Sequence, residues 1–302
     1  MYDQVAQNKR RSLVITLVFV LFTGLVVWAI LQLLDFGVIA VGIAAVVAIA
    51  SAWGSYWKSD VIALKMSRAV PADPVTYARL HNLVEGLCIA SGLPKPAIYV
   101  IDDPAPNAFA TGRNPKHAAI AVTSGLLELM NRVELEGVLA HELSHIKNDD
   151  ILVNTIAVTM VGLITLAADV SLRMLWWNGG RRGRSSDRSG GAFPILAIFG
   201  FVLILLSPLI ARLMQLAVSR KREALADVSG VEMTRYPPGL ISALEKLRDD
   251  TTVVHAASRA TAHLWIEQPT AQVESEGRMS KWNKLFDTHP PLEERIAHLR
   301  EL

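Results

Sequence analysis

Two histidines, His141 and His145, stand four residues apart around Glu142, Leu143 and Ser144. On a helix four residues make just over one turn, so both rings leave the same face and one ion can be reached by both, with the Glu142 carboxylate beside it. That grouping suits hydrolysis in which a metal activates water and a glutamate carries the proton. With 8 histidines in 302 residues, chance supplies the pattern on the order of 0.01 times. The competing reading is a helix with two surface histidines and a solvated glutamate. Catalytic zinc usually takes three protein ligands plus water. The chain has one cysteine, Cys88, so the third ligand must be His, Asp or Glu. Glu223 and, four residues on, Asp227 share a helical face behind Arg220 and Arg222. Glu223 can complete a two-His, one-Glu sphere, and Asp227 can fix a ligand histidine through its other ring nitrogen. Taken alone, this pair also reads as a surface Arg and carboxylate cluster.

The elements that must carry these groups are legible from periodicity. Residues 133–147 form a predicted helix in which Leu135, Leu139 and Leu143, with Val138 and Ile146, make a packing face. The histidine pair projects from the other side. Residues 97–101, 107–111 and 117–123 read as short strands, separated by Pro104, Pro106, Gly112 and Pro115. An edge strand near the metal would hold substrate extended through main-chain hydrogen bonds.

The chain is 51% hydrophobic and 19% charged, against roughly 45–50% and about 25% for an ordinary soluble domain. A net charge of +2 offers no broad basic field for nucleic acid. Residues 12–34 and 36–57 contain no charge and each exceeds the ~20 residues that span a bilayer. Only Asp35 separates them, which predicts a tight antiparallel hairpin. A signal peptide, suggested by Ala50, Ser51 and Ala52, is the rival, but its apolar region is only about 7–15 residues long. Lys9, Arg10 and Arg11 precede the hairpin and Lys58, Lys65 and Arg68 follow it, placing both ends in the cytoplasm by the positive-inside rule. Trp53 and Trp57 near the second span's end read as interfacial anchors.

Two further apolar runs, residues 151–168 and 189–211, flank a loop at residues 178–191 that carries Arg181, Arg182, Arg184 and Arg188. An outward position for that loop conflicts with the positive-inside rule; a hairpin packed on the membrane surface would remove the conflict. The expected fold is an α+β membrane protein: about four transmembrane or membrane-associated helices, plus a mainly helical domain with a small β-sheet. Its divisions are an N-terminal hairpin at residues 12–57, a first domain segment at 58–150, a second apolar hairpin at 151–218, and a second domain segment at 219–302.

The sequence resembles the HtpX family of integral membrane zinc metallopeptidases, relatives of the CAAX prenyl endopeptidases. The likeness spans nearly the whole chain: the N-terminal hairpin, PNAFA at 106–110, HELSH at 141–145, SRKREALAD at 219–227, AHLWI at 262–266 and THPPLEER at 288–295. It implies that the split domain at 58–150 and 219–302 is a zincin-like metalloprotease domain with one Zn²⁺ per chain, bound by His141, His145 and Glu223, and with Glu142 as the catalytic glutamate. It further implies cleavage of misfolded or damaged membrane proteins on the cytoplasmic side of a multi-pass cell-membrane protein. His289, on the turn before Pro290 and Pro291, is the candidate oxyanion donor, or else a turn histidine packing Leu292. Asn107 and Ala108 match the substrate-side strand, although Asn107 could simply make the turn after Pro106, and Phe109 reads as core. The expected partners are unfolded polypeptides and the bilayer, with no nucleic acid. A narrow processing endopeptidase for a defined tail and a non-cleaving membrane adaptor are the alternative functions.

Overall fold

In the computed structural model, residues 2–33, 37–155, 220–252, 264–266 and 290–302 are described. The Arg-rich loop, most of the second apolar pair, and His255, His263 and His289 lie outside the described residues.

Helices α1 (Tyr2–Leu33) and α2 (Ile39–Met66) pack against each other as a hairpin. Gly37, at φ 55°, supplies the left-handed backbone that the connection uses. Ala40, Ala44, Ala48 and Ala52 recur every four residues on one buried face of α2, and their small side chains let the helices approach closely. Leu13, Leu17, Leu21 and Leu25 form an exposed stripe on α1, and Val46, Ile49 and Trp53 are exposed on α2. Among the described residues, one stretch, Ile39–Lys58, is long and apolar enough to cross a membrane; the continuous apolar run of α1 is shorter, Thr16–Leu25.

After the short strand β1 (Val70–Pro71) come α3 (Ala78–Ser91), β2 (Ala97–Ile101), β3 (Ala108–Gly112), β4 (Ala118–Thr123), α4 (Ser124–Leu129) and α5 (Arg132–Lys147). The strands form one mixed sheet in the order β1-β2-β4-β3, with β2 and β4 parallel and the other pairs antiparallel. β3 is therefore an edge strand, as expected, and begins one residue later than the sequence reading. Alternate side chains go to opposite faces, and both faces are covered. Ile98, Val100, Ile120 and Val122 join a core built with α3 and α5, whereas Phe109, Ala119 and Ala121 meet Ala63 and Leu64 from the end of α2. Phe109 is core, in edge-to-face contact with Trp265 at 4.9 Å. The C-terminal part supplies α6 (Arg220–Thr234), α7 (Pro237–Asp249) and α8 (Leu292–Leu299).

Helix α5 starts at a capping box. The Asn131 side chain accepts from the Val133 and Glu134 amides, and Glu134 accepts from the Asn131 amide. Both sides of α5 are buried, so the side opposite the leucines faces protein rather than solvent. Helix α6 covers it, and a glycine makes the approach close: a Cβ on Gly230 would sit 3.1 Å from the His141 amide nitrogen.

Candidate metal centre

Helix α5 sends His141 and His145 toward α6, which presents Glu223 from its first turn. All three side chains are buried. The two Nε2 atoms lie 3.2 Å apart; Glu223 Oε2 lies 3.7 Å from His141 Nε2, and Glu223 Oε1 lies 3.7 Å from His145 Nε2. Three ligand atoms bound tetrahedrally at ~2.0 Å would lie about 3.3 Å from one another. The residues thus fit a small divalent cation without rearranging the backbone, and their donor set, two imidazoles and a carboxylate, suits zinc chemically. Among the described residues this is the one cluster of three such ligands that converges on a point.

Each imidazole is held from behind by a carboxylate. Asp227 Oδ1 lies 2.9 Å from His141 Nδ1. A feature the sequence did not disclose is the partner of Asp227: Arg295, from α8, donates from Nε and Nη2 at 2.9 and 2.6 Å. Burial alone would raise the Asp227 pKa, but Arg295 and His141 bring it down to about 2. Asp150 was also missed. Its Oδ2 lies 3.3 Å from His145 Nδ1, and Arg222 Nη1 lies 3.6 Å from its other oxygen. Burial would lower the His145 pKa, yet Glu223 and Asp150 outweigh it and push it up to about 9. The signal for Arg295 was its place in THPPLEER. For Asp150 the signal was only its position just past the helix end.

Glu142 is buried beside the cluster, and desolvation raises its pKa against the opposing pull of His141 and His145. A carboxylate with a raised pKa is better matched to accepting and returning a proton near neutral pH. The surface reading does not hold for His141, Glu142, His145, Arg222, Glu223 and Asp227, because all six are buried.

Asn107 is buried just before β3, with its Oδ1 accepting from the Ala108 amide. The Ala108 carbonyl accepts from the Ile266 amide at 3.0 Å, so the outer edge of β3 is partly lined by the chain itself. His289 lies outside the described residues, one position before the buried Pro290. The remaining described histidines stand apart from the cluster: His81 bonds the Ala72 carbonyl, His117 bonds Asn114, and His298 is exposed.

The model of peptidase family M48 matches residues 74–302. A protease HtpX homolog of Caldanaerobacter subterraneus subsp. tengcongensis is 43% identical across 100% of this chain and 98% of its own length. Homologs of the same name from Streptococcus uberis, at 40% across the whole of both chains, and Tropheryma whipplei, at 43% across 100% and 98%, are similarly close. The crystal structure of S. mikatae Ste24p aligns at a TM-score of 0.49 and 21% identity, covering 99% of this chain and 67% of that one. The family model and the homologs run through both stretches that build the metal centre, and the chain belongs to peptidase family M48, among its HtpX proteases, as a metalloprotease that hydrolyses peptide bonds.

Proposed function

We propose that this protein is a zinc-dependent membrane endopeptidase with one Zn²⁺ per chain, held by His141, His145 and Glu223. It would cut misfolded or damaged membrane proteins on the cytoplasmic side of the cell membrane. The observation that carries the reading is the convergence of three buried side chains, each offering a ligand atom within 4.8 Å of the others, with buried Glu142 alongside. When bound, the ion supplies Lewis acidity, bringing the pKa of water to about 7 and polarising the scissile carbonyl. Glu142 takes the proton of the attacking water and returns it to the leaving amine. Asp227 and Asp150 fix the two imidazoles from behind. His289 is proposed as the donor to the developing oxyanion; Arg295, six residues on, reaches the centre, which supports bringing the intervening segment close.

Substrate would lie extended beside Asn107 and Ala108. The Ala108 carbonyl has two lone pairs, one of which Ile266 uses, so a substrate amide would take the other or displace Ile266. Membrane residence is supported by the outward apolar faces of α1 and α2, and cytoplasmic orientation by the basic residues flanking the hairpin. The 12–57, 58–150, 151–218 and 219–302 divisions are kept as its organisation.

The test is Glu142→Gln in the full-length protein. Cleavage of an unfolded membrane-protein substrate should fall by about 10²–10⁴-fold with zinc content retained; full cleavage by the variant would refute the role of Glu142. Mapping cleavage sites across a membrane proteome then separates functions. Many sites in unstable proteins support quality control, whereas a single tail motif supports narrow processing.

A further inference from the structure

The two imidazoles are backed in the same way but from different parts of the chain. His141 is backed by Asp227 and Arg295, both on helices of the C-terminal part. His145 is backed by Asp150 and Arg222, and these two residues bracket residues 151–221, the whole of the insertion that contains the second pair of apolar runs. Asp150 follows a turn in which Asp149 takes φ 55°, and beyond it Asp150 lies against His145. Arg222 sits one residue before Glu223, on the first turn of α6. Asp150 and Arg222 are both buried. Burying such a pair is costly unless further polar contacts compensate it, and here the Asp150 carboxylate also contacts a ligand ring.

Resting on the metal reading above, we propose that Asp150 and Arg222 form a positioning clasp. The clasp ties the two ends of the 151–221 insertion to the His145 imidazole, so that the spacing of those ends governs how firmly the site holds its ion. When the ends are together, Asp150 presents His145 Nε2 to the cluster, and Arg222 holds Asp150 in place while its own helix presents Glu223. Separating them releases the His145 ring and draws Glu223 away. The insertion therefore communicates with the metal without contributing a ligand to it.

The experiment uses the full-length chain in lipid discs, loaded with one equivalent of Zn²⁺, and follows zinc loss to excess chelator. Asp150→Asn should lose zinc about 10–100-fold faster, the usual scale for removing the group behind a ligand histidine. Arg222→Gln should shift the rate in the same direction by less. Because Arg222 acts through Asp150, the double variant should lose zinc no faster than Asp150→Asn alone. Wild-type release by Asp150→Asn overturns the clasp, and so does a double variant whose effect is the product of the two single effects, the signature of independent sites. If Asp150→Asn does not fold, Arg222→Lys and Arg222→Gln decide the matter. The lysine should hold zinc near the wild-type rate and the glutamine should not; equal rates overturn the proposal. A His145→Ala chain that keeps its full zinc content would instead overturn the underlying metal reading, and the clasp with it.

Discussion

Asp227 shows how much a single side chain can decide. It bonds His141 Nδ1 on one side and takes two donors from Arg295 on the other. Replacing it by asparagine would turn an NH₂ donor toward either His141 or Arg295. The expected outcome for Asp227→Asn is a zinc affinity about 10–100-fold weaker, measured by chelator competition, with an unchanged ligand trio. Of these residues, the sequence made His141, His145, Glu223 and Asp227 visible, because each pair is spaced by one helical turn and periodicity alone puts its members on one face. Arg295 and Asp150 were not visible as partners. The first comes from a distant helix, and the second depends on a left-handed residue, Asp149, that no local pattern marks. Local spacing reports what one helix can do; it does not report which helix comes to meet it.

At the scale of the element, α5 is held at its start by Glu134, which joins the capping box to α7. Ser242 and Lys246 both donate to Glu134, each at 2.7 Å. Burial would raise the Glu134 pKa, but Lys246, the Asn131 amide and Ser242 hold it below the ordinary glutamate value. A lowered folded pKa means that this contribution to stability is complete above the unfolded value of about 4.3 and disappears as pH falls through the lower folded value. Glu134→Gln should therefore have a lower Tm than wild type at neutral pH, and the gap should close on acidification below pH ~4. A gap independent of pH would show that the carboxylate charge is not involved. Sequence periodicity placed α5 to within one residue at its N-terminal end and matched its last residue. It did not show that the histidine side is as buried as the leucine side, since a polar stripe looks the same whether it faces water or a second helix.

The whole molecule joins an apolar hairpin to a protease domain through one continuous helix. Ala63 and Leu64, past the candidate span, pack on the sheet face that holds Phe109, in one cluster with Trp265. Arg113 lies over the Trp57 ring at 4.5 Å and reinforces the junction. Leu64→Ala should cost about 2–5 kcal/mol, as cavities left by buried leucines do, and should lower the Tm of the whole protein. A hairpin and domain that melted independently would leave the domain transition unmoved. The hairpin itself was readable from two charge-free runs. Its seating on the sheet was not, because a residue such as Ala63 carries no sign of which surface it will meet.

That unbroken passage of α2 from Lys58 to Leu64 has a geometric corollary. At 1.5 Å per residue, six residues advance about 9 Å, so a helix crossing the lipid would act as a ruler with its zero mark at the headgroups. On the function proposed above, the catalytic groups would then work at a set standoff, and bonds broken in embedded clients would cluster in a narrow band of depth, with polypeptide farther out spared unless it bends back.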